Sequence, residues 1–253
     1  MPDRRPLAAL TLVPTPIGNL EDITVRALRV LKEADVVACE DTRTSGALFQ
    51  RFGIETPRTA FHAHNEHARA DGLVARMAAG ERVALVSDAG TPGISDPGFL
   101  LVRAAVEAGL SVEALPGPTA FVPALVASGL PCDRFVYEGF LPHKKGRQMR
   151  LDALTEETRT VVLYESPHRL VKLLGELRER RGGSAPAAVA RELTKLHEEV
   201  RRGTLDTLIA HYDAQPKVRG EIAVVLGGAP PLSRQERRRR ERGAASGAAP
   251  GAA

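Results

Sequence analysis

Val83-Ala-Leu-Val-Ser-Asp-Ala-Gly-Thr-Pro-Gly-Ile-Ser-Asp-Pro-Gly98 decides the fold of this chain. Its first four residues are apolar without alternation, the pattern of a strand covered on both faces. The turn-forming residues Ser87 to Gly98 then lead into a helix-like run, Phe99-Leu-Leu-Val-Arg-Ala-Ala-Val-Glu-Ala108. A buried strand, a loop and a helix in that order hold a small ligand at the carboxyl edge of a parallel sheet. Gly90, Gly93 and Gly98 let backbone amides approach such a ligand, and Pro92 and Pro97 stiffen the path. Asp88 is expected to meet a polar or cationic end of the ligand, and Asp96 to cap the helix that follows. An ordinary connection is shorter and less specialised, so the loop reads as functional.

The same unit recurs on either side. Strand-like runs at 10–14, 35–40, 58–62, 82–87 and 111–115 alternate with helix-like runs at 24–34, 45–52, 66–79, 98–108 and 119–128. This predicts an α/β fold whose N-terminal domain, residues 1–130, is a parallel sheet with helices on both faces. Pro131-Cys-Asp133 marks a boundary. Beyond it, strands are expected at 135–140, 160–165, 187–192, 198–203 and 221–226, with helices at 146–154, 170–181 and 205–212. The segment Glu199-Val-Arg-Arg-Gly-Thr-Leu205 reads as a short strand and turn, so the C-terminal domain, 131–229, is expected to be mixed. Residues 230–253 are Arg-rich, then Ala- and Gly-rich, and read as a disordered tail.

Composition narrows the function. The chain has 253 residues, a formal charge of +4 and 43% hydrophobic residues, as expected of a globular protein without a membrane span. Six arginines and two glutamates lie within 233–253, so the whole excess charge belongs to the tail and the body is neutral. Nucleic acid, if bound by the body, must therefore meet a local basic patch. No signal-peptide pattern is evident at the start, and a cytoplasmic protein is expected. Cys39 and Cys132 are too few for a disulfide framework.

Further loops fall at the same sheet edge. Val13-Pro-Thr-Pro-Ile-Gly-Asn-Leu20 leaves the first strand, with Thr24 as the N-cap of the next helix. Ala38-Cys-Glu-Asp-Thr-Arg-Thr44 collects Glu40, Asp41 and Arg43, a solvated cluster or part of a site. Leu115-Pro-Gly-Pro-Thr-Ala120 opens a helix whose unpaired amides suit a carboxylate or phosphate. Phe61-His-Ala-His-Asn-Glu-His67 invites a zinc reading, but nothing completes a ligand set, and no metal is expected. There is no Gly-x-x-x-x-Gly-Lys-Ser/Thr run and no Gly-x-Gly-x-x-Gly after a strand, which weakens nucleotide readings. In the second half, Ser166 and Pro167 look like a helix cap and first turn. Arg191, Glu192, Thr194, Lys195 and His197 crowd one segment. Pro142-His-Lys-Lys-Gly-Arg-Gln-Met-Arg150 places Lys144, Lys145, Arg147 and Arg150 together without an acid, the local patch that a polyanion requires.

Six of these segments, Thr15–Leu20, Cys39–Arg43, Ser87–Gly98, Leu115–Ala120, Tyr164–Arg169 and Arg191–Lys195, together resemble one family. It is the ribosomal RNA small-subunit methyltransferase I family, a branch of the tetrapyrrole-methylase superfamily. The resemblance spans the chain up to about Gly227 and leaves the tail outside. It implies two α/β domains, a homodimer, and S-adenosylmethionine in the cleft. The implied partner is 16S ribosomal RNA or the small ribosomal subunit, methylated on the ribose 2′-hydroxyl of a decoding-centre cytidine. Matching the superfamily's contact loops assigns Pro16, Gly18, Asp88, Gly90, Thr91, Ile94, Thr119 and Ala120 to the cofactor.

Methyl transfer from a sulfonium is an in-line displacement, and a ribose hydroxyl attacks well only when a base holds its proton. Lys195, Glu165, His168 and Asp41 are the candidates, Lys195 on condition that desolvation and Arg191 lower its pKa. Three rivals stand beside this reading: a tetrapyrrole methyltransferase of the same fold, a magnesium-dependent nucleotide hydrolase, and a non-catalytic RNA-binding protein acting through its tail.

Overall fold

A computed structural model describes residues 6–63 and 65–230; the Arg-rich tail lies outside the described residues. The chain builds two five-stranded sheets in succession. The first contains β1 (Leu10–Leu12), β2 (Val36–Cys39), β3 (Arg58–Ala60), β4 (Val83–Val86) and β5 (Val112–Ala114), all parallel in the order β3-β2-β4-β1-β5. Alternate residues of each strand enter different cores. Val37, Cys39, Ala84 and Val86 pack under α1 (Val25–Glu33) and α2 (Thr42–Phe52). Val36, Ala38, Val83 and Leu85 pack under α3 (Glu66–Ala78) and α4 (Phe99–Glu107). Burial on both faces is why these strands carry unbroken apolar runs. Thr24 caps α1 as expected, accepting from the Ala27 N–H at 3.0 Å.

Parallel strands put every strand-to-helix loop at one edge. Strands β4, β1 and β5 are consecutive in the sheet, so the loops after them are neighbours too. Thr15 and Gly90 exchange two backbone hydrogen bonds of 2.9 Å, and Thr91 Oγ1 donates to the Pro118 carbonyl at 3.0 Å. The three loops are thereby stitched into one surface.

The second sheet contains β6 (Phe135–Phe140), β7 (Thr160–Glu165), β8 (Pro186–Arg191), β9 (Glu199–Thr204) and β10 (Ile222–Leu226) in the order β6-β7-β10-β8-β9. Only β6 and β7 run parallel; the other pairs are antiparallel, giving the mixed sheet expected. One face packs against α6 (Arg147–Ala153), α7 (Leu170–Arg181) and α8 (Leu205–Asp213). The other face is covered by α5 (Phe121–Ser128), whose Ala124 and Leu125 lie among Val162, Ala188, Ala223 and Val225. By packing, then, the second layer begins with α5, ahead of the break expected at residue 130. Among the described residues, no helix is long and apolar enough to cross a membrane.

Two local expectations need correction. Helix α4 is capped by Gly98 at φ +146°, without any side-chain bond, so Asp96 is not its cap. Helix α7 begins at Leu170 after Arg169; Ser166 instead shapes the turn before it, with its carbonyl accepting from the Arg169 N–H at 2.9 Å. In both cases the helix starts later than the residue that looked like its cap.

Candidate active site

A cavity of about 330 Å³ lies where the two sheets' edge loops meet. From the first half come Gly90, Thr91, Ile94, Thr119 and Ala120, five of the residues expected at a ligand, together with Ile17, Ser95 and Asp96. From the second come Phe140, Tyr164, Glu165, Leu193, Glu221 and Ile222. The lining is mostly apolar with a few acids, the composition of a small-molecule site. Ser95 Oγ and Tyr137 Oη, 2.6 Å apart, tie the long loop of the first half to β6 of the second.

Pro16, Gly18 and Asp88 stand outside this lining. Gly18 fills another need: a Cβ there would collide with the stem of Lys195, so its lack of side chain lets the Arg191–Glu198 segment close onto the Thr15–Leu20 loop. Asp88 accepts from the Asp41 N–H at 3.0 Å. The aspartate that faces the cavity is Asp96. Burial, reinforced by the Glu40 and Asp88 carboxylates and opposed by a Ser87 hydrogen bond, pushes its carboxyl up to about 6. Glu40 is shifted upward as well, mainly by burial and then by Asp88.

Of the four groups considered for proton transfer, Glu165 alone lines the cavity. It is almost fully buried, with Oε1 held by Arg169 at 2.6 Å and Oε2 within 3.6 Å of Arg147. Oε2 has no hydrogen-bond partner among the described residues. His168 is exposed on the turn before α7. Asp41 caps α2 through the Arg43 N–H at 2.8 Å and pairs with the Arg43 side chain, which holds its pKa down. Lys195 is bound by Glu192 at 2.9 Å and Glu221 at 3.1 Å. Burial acts to lower its pKa, but those two carboxylates outweigh burial and raise it. This reverses the shift a general base would need.

Lys195 instead braces a strained turn. Glu192 and Thr194 both have positive φ, +51° and +67°, as does Ser95 at +63°. Such backbone costs on the order of 1–3 kcal/mol per residue and collects at functional sites. Glu192 is pinned by Lys195 and by the Glu221 N–H at 3.0 Å, which holds Leu193 in the cavity wall.

The basic segment divides. Lys144 and Lys145 are exposed, and Arg150 is exposed while pairing with Glu138 at 3.2 Å. Arg147 turns inward, 4% exposed, bonding Glu176 at 2.6 Å. It is a core cation and not part of the outer patch; the buried Glu165 and the half-buried Glu176 draw it in. His62 is held by Asn65, whose side chain accepts from the His62 N–H at 2.8 Å; His64 lies outside the described residues. Among the described residues no group of side chains is placed to hold a metal ion.

Two sheets with a shared cleft of this construction define a class, the tetrapyrrole methylase fold, and residues 9–209 match the family model "Tetrapyrrole (Corrin/Porphyrin) Methylases". A solved uroporphyrin-III-C-methyltransferase from Thermus thermophilus is 27% identical with a TM-score of 0.60, covering 86% of this chain and 93% of its own. Another structure of a Thermus thermophilus uroporphyrin-III C-methyltransferase, 24% identical with a TM-score of 0.59 over 86% of this chain and 96% of its own, is complexed with S-adenyl homocysteine. Ribosomal RNA small subunit methyltransferase I of Synechocystis sp. is 51% identical over 230 residues, 90% of this chain and 82% of that protein. The chain belongs to the ribosomal RNA small subunit methyltransferase I family. As such it is a methyltransferase whose methyl donor is S-adenosylmethionine.

The cavity fits that donor. Ile17, Ile94 and Leu193 offer an apolar wall, and Asp96 and Glu165 offer negative charge to a ligand with a cationic sulfur. Gly90, at φ +80° with Ile17 beside it, keeps backbone rather than side chain at the wall.

Proposed function

We propose that this protein methylates the ribose 2′-hydroxyl of a cytidine in the decoding region of 16S ribosomal RNA, within the small ribosomal subunit. The observation that carries this reading is the position of the exposed Lys144–Lys145 loop directly after Phe140, a cavity-lining residue. His143, next to those lysines, is tied to Arg169, the ion-pair partner of cavity-lining Glu165, which holds the loop near the same mouth. Cations at the mouth and an acid-bearing cavity behind them suit a polyanionic acceptor outside and a cationic donor inside.

The donor supplies a methyl group on positively charged sulfur. The chain's residues bind, align and exclude water. Gly90, Thr91, Ile94, Thr119 and Ala120 form the cofactor wall, with Pro16 and Gly18 behind them shaping the first loop. Glu165 Oε2, buried and without a donor, accepts the hydroxyl's hydrogen bond, fixes the direction of its lone pair and takes the proton that the oxygen gives up as it gains the methyl group; two arginines hold that carboxylate still. Lys195 keeps the Glu192–Thr194 turn closed. Lys144, Lys145 and Arg150 contact phosphates. Orientation of this kind is the main lever a protein has on a displacement reaction.

We also assign a homodimer. Val122 and Val126, one turn apart on the outer side of α5, are 44% and 66% exposed, an apolar stripe that a second copy would cover.

Labelled methyl transfer onto isolated small subunits and free 16S RNA, followed by digestion to nucleosides, tests the reading. It predicts label in 2′-O-methylcytidine. Label in a base, or in none of the RNA, contradicts it.

A further inference from the structure

Strand β6 carries Tyr137 and Phe140, three residues apart, which in a regular strand face opposite sides. Here they face the same side. Tyr137 pairs with Val162 and Gly139 with Leu163, so Glu138 is left as a bulge and the alternation slips by one. Gly139 takes φ +66° at that slip, close against Ser95. Both rings therefore reach Tyr164 on the neighbouring strand: the Tyr137–Tyr164 centroids are 5.4 Å apart and the Phe140–Tyr164 centroids 5.5 Å. Phe121 extends the row, 4.8 Å from Tyr137.

This row is covered at its inner members and open at Phe140. That ring is 55% exposed, yet it lines the cavity. A bulge that turns a large aromatic toward a cavity mouth gains no core burial for it. The next exposed residues along the chain are His143, Lys144 and Lys145. An exposed aromatic face within a few residues of two exposed lysines is the pairing with which proteins hold an unstacked nucleotide: stacking for the base, cations for its phosphates. An enzyme that must bring a ribose hydroxyl to a buried donor has to unstack that nucleotide first.

We propose that Phe140, backed by Tyr164, is the stacking surface for the nucleobase of the methyl-accepting nucleotide. This rests on the rRNA methyltransferase reading above. Phe140 touches the acceptor, and the bulge at Glu138–Gly139 exists to present it.

The test compares wild type with Phe140→Ala and Phe140→Tyr in single-turnover methyl transfer onto isolated small subunits, alongside calorimetric titration of S-adenosylmethionine into each protein. Phe140→Ala lowers kcat/KM for the subunit by about tenfold or more and leaves cofactor affinity within about twofold, while Phe140→Tyr stays near wild type. Unchanged kcat/KM in Phe140→Ala overturns the proposal and leaves the wider reading intact. An equal loss of cofactor affinity also overturns it, because Phe140 then packs on the donor. If wild type transfers no methyl to rRNA while binding the cofactor, the wider reading fails and the proposal falls with it.

Discussion

The Tyr137 hydroxyl and the Ser95 hydroxyl are 2.6 Å apart, and through this bond the long loop of the first sheet is docked on the second. Ser95 sits at φ +63°, a conformation that a serine keeps only when its surroundings hold it. Burial raises the Tyr137 pKa, so its hydroxyl remains neutral and able to donate. Tyr137→Phe removes this tie without changing the ring packing. We expect cofactor affinity to fall about two- to tenfold, the worth of one neutral hydrogen bond, with thermal stability changed little. Calorimetry on the variant checks it; an unchanged affinity shows that the loop holds its shape alone.

Asp96 gives the site a pH dependence whose sign is fixed. Its folded pKa of about 6 lies above the ordinary 3.8, so the folded protein binds the proton more tightly than the unfolded chain. The stabilising effect is complete below about pH 4 and is lost as pH rises through 6. Asp96→Asn removes the cost of the buried charge, so its melting temperature gains on wild type between pH 4 and pH 7. Conversely, ionised Asp96 attracts a cation. Wild-type affinity for S-adenosylmethionine should rise several-fold from pH 5 to pH 7.5, and the Asn variant should show a flat profile. Parallel profiles in the two proteins would remove Asp96 from the cofactor's surroundings.

Much of this was legible in the sequence. Every strand and helix expected from periodicity is present, most within one or two residues, because burial on both faces forces apolar runs and amphipathic helices declare their inner stripe. Five of the eight residues expected at the cofactor line the cavity for the same reason: parallel strands deliver their loops to one edge. What escaped depends on contacts distant in sequence. Arg147 reads as one of four patch cations until Glu165 and Glu176 draw it inward. Lys195 reads as a base until Glu192 and Glu221 bracket it. Phe140 reads as the end of a strand; Gly139, beside Glu138, is the one local sign of a bulge, and it does not say which way Phe140 turns.

Arg147 is therefore a stability residue. Replacing it by Ala takes the cation from half-buried Glu176 and leaves buried Glu165 with Arg169 alone, and we expect a loss of about 3 kcal/mol in urea denaturation. A loss below about 1 kcal/mol would show that water reaches the pair.

The outer cations behave differently. Lys144→Ala with Lys145→Ala should leave the urea midpoint unchanged and weaken RNA binding. The slope of log affinity against log salt should become shallower by about 1.4, at about 0.7 per lost phosphate contact on a single strand. An unchanged slope would place the RNA elsewhere.

Lys195→Ala should lower cofactor affinity about fivefold or more by releasing the Glu192–Thr194 turn, whereas Lys195→Arg, which keeps the charge, should retain most of it. The pH–rate profile should keep its shape in Lys195→Arg. A displaced limb in that profile would return Lys195 to the role of base.

The proposed function joins two parts, S-adenosylmethionine in this cavity and transfer of its methyl group to small-subunit rRNA. The direct measurement is transfer of labelled methyl from S-adenosylmethionine to small subunits, read as the modified nucleoside, with wild type beside Glu165→Gln. We expect 2′-O-methylcytidine with wild type and a loss of at least about a hundredfold in the single-turnover rate with Glu165→Gln, cofactor binding being retained. Methylation at full rate by Glu165→Gln contradicts the assignment of Glu165, and absence of any methylated ribose with cofactor-loaded wild type contradicts the proposed function itself.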